Sequence, residues 1–194
     1  MANRSANEFL TPEEVLHRYT GGPKTGVFTD GSCEGNPGPG GWGAVWVEDD
    51  RILEEKRGTD PSTTNNRMEL AALLAAYQIL PEDSRITVYS DSQLCVKTVN
   101  EWAAGWEKRG WRRKSGPIAN LELVRELYAL ANAHTGVTLQ WLRAHDGPRW
   151  NEYAAALASP YMRDCKPAGR SAAAGGEHGY LGDPLDARLP AGPP

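Results

Sequence analysis

The chain has 194 residues, with 21 lysines and arginines against 25 acids, and a formal net charge of −4. This length fits one domain with extensions, and the acidic balance excludes a protein that binds nucleic acid through its overall charge. Three cysteines without CxxC spacing argue against a disulfide framework and a zinc site, and without a bilayer-length apolar run or a signal-peptide core we expect a soluble, cytoplasmic protein.

The first part of the chain predicts an N-terminal extension followed by three antiparallel strands. The extension is placed at residues 1–23, with one short helix beginning near Thr11 and Pro12. Apolar alternation then predicts strands at 27–30, 42–47 and 51–57. The first strand ends on Asp30, where glycine and proline begin a turn, so its carboxylate lies at the mouth of that turn.

The remainder predicts alternating helices and strands. Helices are predicted at 65–80, 92–102, 120–133 and from 152 onward, and strands at 85–90 and 137–142. A long helix precedes the fourth strand, so that connection is a crossover and the strand is expected parallel to the first. The predicted fold class is α/β, a mixed five-stranded sheet flanked by helices. The catalytic domain is placed at 24–162, and residues 163–194, rich in Gly, Pro and Ala, are predicted to form a disordered tail.

Three acids are candidates for a metal site. Asp30 and Asp91 each follow a predicted strand, and parallel neighbouring strands would bring both to the sheet edge where α/β folds bind ligands. Glu69 lies among core residues near the start of the long helix, where a buried acid needs a partner. Each acid alone is also typical of a solvated turn or an ordinary helix surface. Together they suit Mg²⁺ or Mn²⁺ completed by substrate phosphate, and they predict metal-assisted phosphodiester chemistry.

Four motifs, in this order, closely resemble those of bacterial-type ribonuclease HI: residues 28–33, 35–41, 64–70 and 90–93. The resemblance covers about residues 24–160 and implies the ribonuclease H fold. It implies an endonuclease that hydrolyses the RNA strand of RNA–DNA hybrids with two Mg²⁺ ions, for which Mn²⁺ can substitute. Asp30, Glu69 and Asp91 would then be the catalytic metal ligands. His145, on a glycine-containing loop, matches the family's mobile histidine, which is thought to help the leaving group or product depart.

The resemblance also implies contacts to the hybrid by neutral side chains. Asn36, Asn65 and Gln93 are similar to the family's minor-groove contacts, and Thr64 is similar to a contact to a DNA-strand phosphate. Amides can recognise a 2′-hydroxyl, which both donates and accepts and distinguishes RNA from DNA. Turn formation and helix capping are an equally good interpretation of Asn36, Asn65 and Asn66.

Residues 102–114 form a local basic patch with five cations, one anion and three tryptophans. Cations here would neutralise phosphates while the rings stack on bases or brace the loop. As an isolated segment, it is also typical of a charged surface helix with tryptophans in the core. The patch resembles the family's basic protrusion, which grips the DNA strand. Its predicted nucleic-acid contacts are Trp106, Lys108, Arg109, Trp111, Arg112, Arg113 and Lys114.

Ala155 stands where the resemblance implies a fourth catalytic carboxylate. Asn151 and Glu152 match the motif that begins the family's last helix, in which an aspartate follows three residues after the glutamate. The alanine is open to three interpretations: an introduced substitution, a natural variant compensated by Glu152 or Asp146, or the mark of a chain that binds hybrids without cutting them.

The predicted function is therefore ribonuclease H activity impaired by Ala155, in a monomer that binds no membrane. The alternative is a catalytically inactive hybrid-binding module. Another nuclease or recombinase on the same fold would share only the acids with this chain.

Overall fold

The computed structural model describes residues 10–143 and 147–161, and within them five strands form one sheet in the order β3-β2-β1-β4-β5. The first three strands pair antiparallel, whereas β4 pairs parallel with both β1 and β5. The predicted mixed sheet is confirmed. The strands are β1 Gly26–Cys33, β2 Gly38–Glu48, β3 Arg51–Thr63, β4 Thr87–Ser90 and β5 Thr138–Trp141.

The helices of the described residues pack on both faces of this sheet. A π-helical turn, Thr98–Trp102, joins α3 to α4, where the sequence predicts one continuous helix. None of the helices within 10–143 and 147–161 has the length and apolar character needed to cross a bilayer. The helices are α1 Pro12–Arg18, α2 Asn65–Ile79, α3 Gln93–Lys97, α4 Ala103–Lys108, α5 Leu121–Ala133 and α6 Arg149–Ala158.

Two apolar clusters cover the two faces of the sheet. Val27 lies in the cluster formed with α2, α3 and α5, whereas its neighbour Phe28 lies in the cluster formed with α1 and α6. This alternation follows from the two-residue period of a strand. Because helices cover both faces, β1 is a central buried strand, and Asp30 emerges from the middle of the sheet.

The strand that carries Asp30 is longer than the sequence predicts. Instead of ending at Asp30, β1 continues to Cys33, and its last residues pair with residues 40–42 of β2. The glycines interpreted as a turn permit this ladder, since a Cβ at Gly40 would lie 2.5 Å from Thr63 and 2.7 Å from the Ser32 carbonyl oxygen. Asp30 therefore lies inside a strand, immediately after the parallel pairing with β4 ends.

The N-terminal helix α1 packs against α6 in the second cluster. Val15 is only 2% exposed there. Arg149, the first residue of α6, donates from Nε to the Tyr19 carbonyl at 2.6 Å, and its backbone N–H donates to the Gly21 carbonyl at 2.8 Å. The segment before β1 thus holds the start of α6 in place.

Candidate active site

Asp30 and Asp91 lie side by side because β1 and β4 pair in parallel. The register places Thr29 opposite Ser90; Asp30 is the next residue of β1, and Asp91 directly follows the end of β4. Thr29 Oγ1 also donates to the Tyr89 carbonyl at 3.0 Å, which ties the two strand ends together. The two carboxylates therefore meet at the same level of the sheet.

Glu69 reaches the same place from the first turns of α2. Thr64 caps this helix, since its Oγ1 accepts a hydrogen bond from the Arg67 N–H at 3.3 Å. The helix packs so closely on β1 that a Cβ added to Gly31 would overlap the backbone of Met68 and Glu69. Only glycine at position 31 leaves room for Glu69 at this depth.

The three acids form one compact cluster. One carboxylate oxygen from each of Asp30, Glu69 and Asp91 lies within 4.8 Å of the other two. Burial raises the pKa of Asp30 well above its ordinary value, and the charges of Asp91 and Glu152 raise it further. Burial also raises the pKa of Glu69, followed by the charges of the two aspartates. Such crowding of like charges is relieved either by protonation or by a bound cation.

An oxygen of this cluster lacks a hydrogen-bond partner among the described residues. Glu69 is 5% exposed, and its buried Oε2 accepts no hydrogen bond from any described residue. A buried polar atom without a partner is uncommon, because the lost hydration is not replaced. Three hard oxygen donors, one of them unsatisfied, fit a small divalent cation such as Mg²⁺ or Mn²⁺.

Helix α6 lies beside the cluster, over β2. Gly43 is the register partner of Asp30, and a Cβ there would lie 2.6 Å from the Ala154 carbonyl oxygen. Ala155 is half-buried on this helix and offers no ligand atom. Glu152, three residues earlier, is also half-buried, and its charge acts on Asp30.

Trp141, at the end of β5, supports the site in a way that sequence patterns did not reveal. Its indole Nε1 donates to the Asp91 carbonyl oxygen at 3.0 Å, although the side chain is 43% exposed. The sequence places it only as the penultimate residue of a predicted strand. One feature of the sequence could have indicated this contact. Trp141 ends β5, and β5 pairs with β4, the strand that Asp91 follows.

The predicted minor-groove contacts surround the start of α2 and α3. Asn36, Asn65 and Gln93 are exposed. Asn36 Oδ1 also accepts a hydrogen bond from the Asn65 N–H at 3.3 Å, so it satisfies a free donor at the N-terminus of α2. Helix capping by Asn36 is therefore present in the structure. The three amides are exposed, and their contact with a hybrid stays a prediction.

The basic patch combines exposed cations with tryptophans that pack inward. Trp111 contacts Tyr128 of α5 edge to face, with ring centroids 6.0 Å apart, and Arg125 lies 5.6 Å from the Trp111 ring centroid. Trp106 and Trp111 both pack against the first apolar cluster. These tryptophans brace the segment, while its cations face solvent: Lys108, Arg109, Arg112, Arg113 and Lys114.

Some predictions fall outside the described residues. They concern His145 and Asp146 in the loop before α6, and the segment 163–194. The roles assigned to them from the sequence stay predictions.

Known proteins are similar in sequence to most of this chain. The RNase H family model matches residues 23–162. The chain belongs to the RNase H family. It is 42% identical over 146 residues to Ribonuclease HI of Caulobacter vibrioides, covering 75% of this chain and 97% of that protein. It is 43% identical over 143 residues to Ribonuclease H of Pelobacter propionicus, covering 73% and 86%. The predicted family and ribonuclease H class of enzyme are confirmed.

Solved structures of RNase H proteins share the fold. LC9-RNase H1 is 34% identical with a TM-score of 0.59, covers 72% of each chain, and is described as a type 1 RNase H with the type 2 active-site motif. RNase H1 of Halobacterium salinarum is 28% identical with a TM-score of 0.51, covering 71% of this chain and 96% of that one. The predicted ribonuclease H-like fold is confirmed.

Proposed function

We propose that this RNase H protein is an endoribonuclease that hydrolyses the RNA strand of RNA–DNA hybrids. The observation that carries the proposal is the carboxylate cluster of Asp30, Glu69 and Asp91, with its buried, unpartnered Glu69 oxygen. The names of the bacterial relatives support it. A structure of LC11-RNase H1, 22% identical with a TM-score of 0.53, holds an RNA/DNA hybrid on the same fold.

The proposed cofactor is Mg²⁺, two ions per site, with Mn²⁺ as a substitute. Asp30, Glu69 and Asp91 would hold the ions, and Asp30 would be shared between them. When bound, such ions polarise the scissile phosphate and make water a better nucleophile near neutral pH. In the hydrolysis, water oxygen bonds to phosphorus, the bond to the 3′-oxygen breaks, and that oxygen leaves with a proton. The proposed role of His145 is to assist this departure.

Hybrid recognition is assigned to two sets of side chains. The exposed amides of Asn36, Asn65 and Gln93, with Thr64, would contact the minor groove and the adjacent phosphate. The exposed cations of the basic patch would neutralise phosphates of the DNA strand. The first set would provide selectivity for RNA, and the second would provide affinity.

A role restricted to binding is disfavoured by the cluster itself. Three buried or half-buried acids would repel the phosphates of a bound hybrid, and hybrid binding alone does not require them. A bound cation converts this repulsion into attraction. The alanine at position 155 is expected to lower the rate, because even the loss of a group that supports a metal ligand costs ~10–100-fold.

We also propose that the protein works as a monomer in the cytoplasm. Within the described residues Cys33 and Cys95 are free thiols, which suits a reducing compartment. Light scattering at several protein concentrations tests the monomer, since a mass that rises with concentration would contradict it.

The test of function is cleavage of a hybrid labelled on its RNA strand, in Mg²⁺ and in Mn²⁺. We expect RNA cleavage with 3′-hydroxyl ends, no cleavage of matched DNA–DNA or RNA–RNA duplexes, and complete loss with a chelator. Asp91→Asn should abolish activity, whereas Asp83→Asn, at an exposed position, should not. Tight binding without cleavage would favour the binding module, and cleavage of DNA–DNA duplexes would indicate a different nuclease.

A further inference from the structure

A cavity of about 270 Å³ lies where α2, the π-helical turn, α4, α5 and β5 meet. Part of its wall is apolar, since Tyr77, Val99 and Leu139 belong to the first apolar cluster. None of the three clustered acids lines this cavity. Its volume is slightly below the roughly 300–1,000 Å³ typical of pockets for drug-sized molecules, so it suits a smaller ligand.

The polar side chains of this cavity are uncharged. No charged residue in the described part of the chain lines it, and its polar residues are Tyr77, Asn100, Tyr128 and Asn132. Both asparagines are exposed, so they stand at the opening. A phosphate, a carboxylate or a metal ion would leave water and find no opposite charge inside, which is unfavourable. The lining therefore favours an uncharged ligand that forms hydrogen bonds.

Tyr77 is the most buried polar residue of the lining. It is only 2% exposed, its ring contacts His134 edge to face, and its hydroxyl forms no hydrogen bond with any described residue. Burial raises the pKa of Tyr77 to about 12, so the hydroxyl keeps its proton near neutral pH. A buried tyrosine hydroxyl usually has a hydrogen-bond partner. A ligand that offers an acceptor in the cavity would supply one.

Two other polar side chains of the lining are held in place by the protein. Asn100 Nδ2 donates to the Leu139 carbonyl oxygen at 3.0 Å, which leaves the amide oxygen free to accept at the opening. Tyr128 contacts Trp111 edge to face, with ring centroids 6.0 Å apart. An oriented amide pairs with the edge of a nucleobase, and a fixed aromatic ring packs against its face.

We propose that this cavity binds an unpaired nucleobase, with Asn100 and Asn132 along its hydrogen-bonding edge and Tyr128 against its ring. The Tyr77 hydroxyl donates to an acceptor of the base. Ala104 lines the cavity and lies within the basic patch, so a phosphate that stays outside would meet the cations of that patch. The base belongs to a free nucleoside or to an unpaired nucleotide of a strand, and the recognising chemistry is the same for both.

The first arm of the test titrates the full chain with adenosine, guanosine, cytidine and uridine and follows its amide NMR spectrum. A chelator is present throughout, so no cleavage occurs and the outcome does not depend on the proposed function. We expect saturable shifts around the cavity with at least one nucleoside. Ala131→Leu, which fills the cavity, should weaken this binding ~10-fold or more. The matched control is Ala129→Leu, at an exposed position of the same helix, which should leave the affinity unchanged.

The second arm identifies the source of the base. It compares a short single-stranded oligonucleotide with an abasic strand of the same length. A site for free nucleosides gives equal affinity for the two strands. A site for an unpaired nucleotide gives weaker binding of the abasic strand, and Ala131→Leu should remove that difference. If Ala131→Leu weakens neither the binding of nucleosides nor that of bases in a strand, the proposal is wrong.

Tyr77→Phe provides a second variant in case Ala131→Leu melts at a clearly lower temperature. It removes only the hydroxyl, so binding of the base should weaken several-fold through the lost hydrogen bond. The melting temperature should not fall, because no described residue bonds that hydroxyl. Unchanged affinity in Tyr77→Phe would also count against the proposal.

Discussion

At the scale of single residues, the burial and mutual repulsion of the clustered carboxylates lower the stability of the folded chain. Asp30 and Glu69 are crowded by each other and by Asp91, and burial adds to the cost of ionising them. The Gly31 backbone N–H offsets part of this cost for both. The cluster is therefore tolerated for its chemistry and not for stability, as is common where several titratable groups share a site.

This crowding predicts an inverted pH dependence of stability. The folded-state pKa values of Asp30 and Glu69 lie above their ordinary 3.8 and 4.5, so the folded chain holds these protons more tightly than the unfolded chain. Their contribution therefore favours folding at acidic pH and is lost as pH rises through the raised values. In the presence of a chelator, we expect the double variant Asp30→Asn, Glu69→Gln to be more stable than the unaltered chain. This gain in the free energy of unfolding should grow between about pH 5 and about pH 8.

The measurement is the melting temperature of both proteins across that range, with and without Mg²⁺. Added Mg²⁺ should remove most of the difference, since a cation relieves the repulsion in the unaltered chain alone. A stability gain that is constant with pH would contradict the prediction.

The hydrogen bond from Trp141 to the Asp91 carbonyl predicts that Trp141 helps to hold Asp91 in position. Trp141→Phe keeps an aromatic ring but removes the hydrogen bond to the Asp91 carbonyl, at a cost of ~0.5–1.5 kcal/mol in the free energy of unfolding. Because the strand end would be held less firmly, we expect kcat for hybrid cleavage to fall several-fold, with KM little changed. The control is Trp102→Phe, at an exposed tryptophan of the basic patch, which should leave kcat unaltered.

At the scale of elements, α1 is a short N-terminal helix that packs against α6, the helix beside the carboxylate cluster. The helix begins with a capping box, in which Thr11 and Glu14 satisfy each other's backbone N–H groups. It lies before the region matched by the family model, which starts at residue 23. Its buried Val15 and the bonds of Arg149 connect it to the helix that carries Glu152.

Val15→Asp should therefore reduce both stability and activity. An unpaired charge at this buried position should cost about 2 kcal/mol or more in the free energy of unfolding. Urea denaturation and hybrid cleavage measure the two effects, and Glu13→Ala, at an exposed position of the same helix, is the control. Unchanged stability in Val15→Asp would mean that α1 does not hold α6 in solution.

The elements also show which features local patterns can and cannot predict. Helix α2 was predictable because its apolar spacing is regular and Pro81 follows its end. The convergence of Asp30 and Asp91 followed from the crossover rule, which makes β1 and β4 parallel. The length of β1 was not predictable, because glycines that usually signal a turn here allow two strands to approach. The contacts of α1 with α6 depend on tertiary packing, which no local pattern encodes.

At the scale of the whole molecule, an acidic protein is proposed to bind a polyanion through one exposed basic patch. The net charge is −4, so attraction depends on the local arrangement of cations. Replacing Arg112, Arg113 and Lys114 by alanine should reduce the slope of log affinity against log salt by about 2.7, at roughly 0.9 for each phosphate that is no longer neutralised.

The matched control for this prediction carries the same change in net charge. Arg51, Lys56 and Arg57 are exposed on β3 and are replaced together by alanine. Binding of a hybrid in Ca²⁺, measured at several salt concentrations, should show a steeper slope for this control than for the patch variant. Equal slopes would show that the patch is not where the protein neutralises phosphates.

The position of β3 at one edge of the sheet affects how the protein behaves at high concentration. A long edge strand offers unpaired backbone groups to other chains and is a common route to aggregation. Here residues 54–57 are four consecutive charged side chains, and Pro61 lacks the N–H needed for a further ladder. The opposite edge, β5, is only four residues long. Both edges of the sheet thus discourage strand addition between copies of the chain.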